Sequence, residues 1–334
     1  MFHANSFSGK RFLVSGGAGF LGSHLCEMLL ARGGSVVAVD DFITGRRKNL
    51  NQLLQSRSFE LIESDITRPF GIDGKLAGIF HFASPASPVD YMQHSIETLR
   101  AGAMGAENVL VLAERKDCPI LIASTSEVYG DPLEHPQRET YWGNVNPVGP
   151  RSCYDESKRY QEAMTVAYHR VHNVPVRIMR IFNTYGPRMR ADDGRVVPNF
   201  CLQALRGEPL TVYGDGSQTR SFCFYEDLLE GCLRLFCSDC TGPVNIGNPE
   251  EHTILEFAQR IISLADSKSV IIHLPPVVDD PHLRCPDISL AKKLLGWKPR
   301  ISLNQGLKAT IEYFRGELKE GRAAPSRPQP ASAH

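Results

Sequence analysis

Short apolar runs, each closed by glycine or charge, recur along the first half of the chain, and segments of helical period separate them. Phe12–Val14 in RFLVS opens the series and meets a glycine cluster. Leu21, Leu25, Met28 and Leu29 then fall at helical spacing. SVVAVDD, FELIESD and GIFHFAS read as the next three strands and SIETLRAGAMGAENVLVLAERK as a helix. CPILIAST is a strand, DESKRYQEAMTVAYHRVH a helix and VPVRIMRIF a strand. The strands are almost uninterruptedly apolar, which predicts burial on both faces. Strands alternating with helices predict an α/β fold, a Rossmann-type doubly wound parallel sheet.

Beyond about residue 185 the texture changes to short segments between proline and glycine, such as RGEPLTVYGDGSQTRSF and TGPVNIGNPEEHT. This predicts a sheet domain over 10–185 that also receives later segments, and a smaller C-terminal lobe over 186–318. The Pro/Ala/Ser-rich end, 322–334, reads as a disordered tail.

Composition changes this picture little. The 334 residues are 42% apolar and 22% charged with zero formal net charge, so nothing favours bulk attraction to nucleic acid or an anionic membrane. No apolar run approaches the roughly 18 residues of a membrane span. MFHANSFSGK carries no apolar signal region, and the expected location is cytoplasmic. Nine cysteines lack a framework spacing and read as free thiols. Cys237 and Cys240 form a lone C-x-x-C without a second ligand pair, so no metal is expected.

The chemistry starts at Gly16, Gly19 and Gly22, between the first strand and a helix that opens with Phe20 and Leu21. Glycines there permit a tight turn and close approach of backbone to a pyrophosphate, which the helix N-terminus attracts. Eighteen residues after Gly22 the second strand ends in Asp40 and Asp41. A carboxylate at that place bonds a ribose 2′-hydroxyl and repels a 2′-phosphate, which favours NAD over NADP. Arg46 and Arg47 keep NADP as the alternative. Asp65, ending the third strand, is either an adenine contact or a solvated strand end.

Tyr154 and Lys158 form a Y-x-x-x-K at a helix start, and i, i+4 spacing puts both on one face. An ammonium beside a phenol, with the positive ring of an oxidised nicotinamide, predicts a phenol drawn from about 10 toward neutrality and able to act as a base. ASTSEVYG, residues 123–130, follows the buried strand CPILI with a polar cluster. Strand ends of open α/β sheets are where ligands sit, so Thr125 is a candidate to bond a substrate hydroxyl beside Tyr154. The alternative is that Thr125 and Ser126 cap a following turn.

With these residues the chain resembles the extended short-chain dehydrogenase/reductase family. Within it, HFASPASP, ASTSEVYGDP, YWGNVNPVGPRSCYDESKR, RIFNTYGPRM, DDGRVVPNF and NIGNPEEHTILEFA are similar to the UDP-glucuronate decarboxylases. The resemblance implies a UDP-sugar substrate, tightly held NAD and a homodimer formed through helices near 95–116 and 155–172. The implied reaction converts UDP-glucuronate to UDP-xylose. C4 is oxidised to a ketone, the resulting β-keto acid loses carbon dioxide, and the ketone is reduced again.

The implied catalytic residues are Thr125, Glu127, Tyr154, Lys158 and Arg220, with Glu127 orienting the sugar or a water. Pro88, Tyr91 and Asn183 correspond to substrate contacts, and Arg220 and Arg284 to arginines forking onto the diphosphate. For each arginine a surface salt bridge is the alternative. Tyr213 either stacks on the uracil or belongs to the core. The rival activities are a nucleotide-sugar 4,6-dehydratase or 4-epimerase, and a non-enzymatic NAD sensor stands behind them. One departure is plain. Where the family carries an asparagine that ties the long helix to the active-site strand, this chain has Gly102, and Gly105 follows. Two glycines inside a helix cost about 1 kcal/mol each against alanine.

Overall fold

The computed structural model describes residues 6–275 and 284–321. The expected disordered tail, 322–334, lies outside the described residues. Six strands arise where the apolar runs predict them: β1 (Arg11–Ser15), β2 (Ser35–Asp40), β3 (Phe59–Glu63), β4 (Gly78–His81), β5 (Ile120–Thr125) and β6 (Val176–Ile181). They lie in the order β3-β2-β1-β4-β5-β6, and Pro243–Ile246 joins beyond β6 as the seventh strand. Every pairing in this sheet is parallel. The strand order reverses at β1, whose neighbours are β2 and β4. A crevice therefore opens at the carboxyl ends of β1 and β4, where such sheets take ligands.

Helices cover both faces. α1 (Phe20–Ala31) follows the glycine turn. α2 (Pro88–Gln93) is capped by Ser87, whose hydroxyl accepts from the Asp90 amide. The single helix predicted over 95–116 is broken into α3 (Ser95–Arg100), a π-helical turn (Ala101–Gly105) and α4 (Ala106–Lys116). α5 (Ser152–His172) starts earlier than its apolar period indicates and brings Tyr154 into its first turn. Gly102 explains the close packing here. A Cβ on it would lie 2.6 Å from the Cβ of Ser157 and 2.7 Å from its carbonyl oxygen, so only glycine fits against α5.

Apolar side chains line both faces of the sheet, with Phe80 and Phe236 centred 4.4 Å apart on one of them. A separate core gathers Phe200, Phe222, Phe257, Leu307 and Phe314 from later segments. Between this core and the sheet edge lies the cleft described next.

Candidate functional site

The glycine turn is shaped by exclusion. Gly16 has φ +72°, and a Cβ there would sit 2.7 Å from the Ala83 amide nitrogen on the neighbouring strand end. α1 begins at Gly19 with no side-chain cap and no acidic residue in its first turn. Its amide groups and positive dipole end therefore face the crevice, a cradle that fits a pyrophosphate. Gly16, Gly19, Phe20, Leu21 and Gly22 all line the main cavity, of about 340 Å³. Asp40 and Asp65 line an adjoining cavity that shares Gly16 and Gly19 with it.

Asp40 accepts from the amides of Ala18 (2.8 Å) and Phe42 (2.9 Å). Burial raises its pKa while those two bonds oppose the rise. Asp65 accepts from the amide and hydroxyl of Thr67 and faces Arg68 at 3.7 Å.

The reacting end is assembled at the ends of β5 and β6 and the start of α5. Thr125 ends β5 in extended conformation, and its hydroxyl oxygen accepts from the Glu127 amide at 3.2 Å. It also lies close enough to the Tyr154 hydroxyl to lower that phenol's pKa, so the cap and the candidate site role coexist in one side chain. Tyr91 stacks on Tyr154 with centroids 5.0 Å apart and planes 8° from parallel. Its own buried hydroxyl has no partner among the described residues.

The expected phenol drawn toward neutrality depends on Lys158 together with an oxidised nicotinamide. Among the chain's own groups, burial holds the Tyr154 phenol well above its ordinary value. Thr125 opposes this, Glu127 and Asp155 add to it, and Arg195 opposes it. Lys158 Nζ lies 5.9 Å from the Tyr154 ring centroid and donates to the Ala123 carbonyl (2.9 Å) and Gln161 Oε1 (3.2 Å). Burial pushes its pKa down to about 8, against the pull of Glu162. The chain's own groups thus hold both partners in their neutral direction.

Glu127 is buried yet ionised. Burial alone would raise its pKa, but Arg284 and Arg151 hold it below the usual carboxylate value. Arg284 forks onto both carboxylate oxygens, Nη2 at 2.9 Å from Oε2, and Arg151 Nη2 lies 2.6 Å from Oε2. The resemblance assigns Arg284 to a diphosphate; here its guanidinium grips the glutamate. Neighbouring Asp155 has its pKa raised by burial and by Glu127.

Pro88, Tyr91, Asn183, Tyr213, Arg220 and Arg284 all line the same cavity. Arg220 is buried on a short strand opposite His252 and donates to the Thr219 carbonyl at 2.8 Å. The cavity also contains Arg151 and Arg195, which the sequence reading does not single out. For Arg151 a signal exists: it directly precedes the SCYDE segment and ends the loop entering α5. Arg195 lies within DDGRVVPNF, a segment that carries the resemblance, but only the folded chain brings it near Tyr154. Among the described residues, His135, Glu251 and Cys285 place three ligand-type atoms within 4.8 Å, with His135 and Glu251 paired at 3.0 Å.

A parallel sheet reversing at a glycine turn, with tyrosine and lysine one helical turn apart at its carboxyl edge, is the arrangement of short-chain dehydrogenases. The chain belongs to the family described as GDP-mannose 4,6 dehydratase, which matches residues 13–310. It is 53% identical over 320 residues to UDP-glucuronic acid decarboxylase 2 of Arabidopsis thaliana, covering 95% of this chain and 72% of that one. It is 53% identical over 324 residues to UDP-glucuronic acid decarboxylase 1 of Danio rerio, covering 97% and 77%. The solved UDP-glucuronic acid 4-epimerase from Bacillus cereus, in complex with UDP-glucuronic acid and NAD, superposes with a TM-score of 0.79 at 27% identity. That match covers 92% of this chain and 99% of the other.

Proposed function

We propose that this chain is a UDP-glucuronate decarboxylase that forms UDP-xylose through a UDP-4-keto sugar, using NAD without net oxidation. The observation that carries the reading is the joining, in one cavity, of Thr125 and Tyr154 to the Glu127–Arg284 clamp and the glycine cradle. Curated relatives at 53% identity with this activity support it.

The cradle at Gly16, Gly19 and Gly22 would hold the pyrophosphate of NAD, Asp40 the ribose and Asp65 the adenine side. Bound there, NAD supplies a reversible hydride acceptor for C4 of the sugar and a positive ring beside the phenol. Tyr154 takes the proton of the C4 hydroxyl. Burial raises its phenol, and the positive charge that bound NAD would supply acts against that rise. The C4 ketone makes the C6 carboxylate part of a β-keto acid, and loss of carbon dioxide pushes an electron pair toward the C4 oxygen. Thr125 and Tyr154 are donors placed for the developing enolate. Glu127, held ionised by Arg151 and Arg284, orients the sugar or a water for protonation at C5. Pro88, Tyr91, Asn183, Tyr213 and Arg220 enclose the sugar and its nucleotide.

In this reading the 10–185 domain binds NAD and the 186–318 lobe mainly binds substrate. The active form is a homodimer. Its support is the apolar face of Ile96, Leu99 and Met104 with Tyr160 on α5, all of them exposed. Cytoplasmic residence suits nine cysteines present as free thiols. No helix of the described residues is long and apolar enough to cross a membrane.

Incubation with UDP-glucuronate and NAD, followed by mass spectrometry, is the test. Carbon dioxide and a UDP-pentose are expected. Turnover of a neutral hexose nucleotide without pentose overturns the reading in favour of the dehydratase activity named by the matching family.

A further inference from the structure

Lys158 reaches the cavity from α5 with its ammonium buried, and two acceptors hold it. The Ala123 carbonyl is main chain, fixed by β5. Gln161 Oε1 is a side chain three residues further along the same helix, itself fully buried. A buried amide is costly unless bonded. Gln161 Nε2 has no partner among the described residues, so its bond to Lys158 is the interaction that justifies a glutamine there.

The resemblance leads one to expect polar support for the active-site strand from an asparagine at position 102. That position holds glycine, pressed against Ser157 by the π-helical turn with no room for a Cβ. Ser157 and Gln161 are four apart and share one face of α5.

We propose that Gln161 is the positioning residue for Lys158, supplying from α5 the polar support that the turn at Gly102 has no space to supply. The proposal rests on the decarboxylase reading above. Besides the Ala123 carbonyl, four side chains lie around the ammonium. His81 on β4 is held neutral by burial and by Lys158, with its pKa pushed down to about 3. Glu162 on α5 is already paired with Arg180. Tyr154 and Gln161 complete the set. Gln161 is the one that both accepts from the lysine and points nowhere else.

The test measures kcat and KM for UDP-glucuronate across pH in wild type, Gln161→Met and Gln161→Glu. Methionine keeps the volume and removes the acceptor. It is expected to lower kcat about tenfold with KM within about twofold, and to start the high-pH fall of kcat about one unit lower. Glutamate places a carboxylate on the ammonium and is expected to move that fall upward. Full kcat in Gln161→Met, or an unmoved high-pH limb in both variants, overturns the proposal. If the methionine variant does not fold, the direction of the glutamate shift decides alone. Failure of the wild type to turn over UDP-glucuronate overturns the functional reading. An active wild type with neutral variants overturns only the role of Gln161.

Discussion

The two ends of the cavity are built by different means. The cofactor end is seven consecutive residues, 16–22, whose backbone shape does the work. The reacting end brings together Thr125, Glu127, Arg151, Tyr154 and Arg284, and the forked contact of Arg284 on Glu127 joins residues 157 positions apart. The first is governed by sterics, the second by balanced buried charge. Substitutions at the first should act on binding. Those at the second should act on rate and stability together.

The largest expected effect separates the ends most sharply. Tyr154→Phe removes the proton acceptor and leaves the cradle intact. It should lower kcat by about 10³-fold, within the range for a positioned acid–base group, while NAD affinity stays close to wild type. Steady-state assay and cofactor titration read the two quantities. A comparable loss of NAD affinity would erase the distinction between the ends.

Next in size is Glu127→Gln. It leaves two arginines facing a neutral amide, and unpairing a buried ion group costs about 3 kcal/mol. The folded pKa of Glu127 lies below its ordinary 4.5, so its contribution is present above that value and is lost as pH falls through the folded value. Urea unfolding should show the deficit in full at pH 7. Wild type and variant should converge under strongly acid conditions. Catalysis should fall about 10²-fold alongside.

What could be read from the sequence follows the same division. The glycine turn, the alternation of strands and helices, and Tyr154 with Lys158 on one face all depend on residues a few positions apart. Local geometry decides them, and the chain displays it. The grip of Arg284 on Glu127 is a closure over a long stretch of chain, which no spacing rule contains. For Tyr154, i, i+4 proximity gives the sign of one charge but not the burial that opposes it in the chain by itself. Gly102 and Gly105 read as a cost to a helix. In the fold they belong to a π-helical turn, where absence of a Cβ at Gly102 allows α5 to approach and at Gly105 makes room for Ile66.

Lys158→Met probes the cost of the charge at the reacting end. The folded pKa of Lys158 is lowered to about 8 from 10.5, so below pH 8 the folded state carries a buried ammonium at full cost. The lysine enzyme regains stability as pH rises from there to 10.5, because the folded state sheds its proton first. The methionine variant should therefore be inactive yet more stable by about 1–3 kcal/mol at pH 7, with the gain vanishing toward the alkaline end. Chemical unfolding at several pH values measures it. A variant less stable than wild type at pH 7 would mean that the bonds to Ala123 and Gln161 outweigh desolvation.

The smallest expected effect falls at the cofactor end, on the carboxylate that ends β2. Asp40 ties two amides, and one of them belongs to Phe42, which is held at φ +60°. Asn offers one acceptor oxygen, so Asp40→Asn must turn its own amide toward one of those N–H groups and lose that bond, a cost of about 1 kcal/mol. Relief of the buried charge, whose pKa burial has raised, offsets part of the loss. Stability should fall by about 1 kcal/mol or less, read by urea unfolding, and NAD should bind about tenfold more weakly through loss of a charged ribose contact. The pairing of outcomes is the informative part. Weaker NAD with unchanged stability would make Asp40 a ligand group on a turn that stands without it. Lost stability with unchanged NAD binding would make it a brace for the loop after β2, and the cofactor end would then be shape alone.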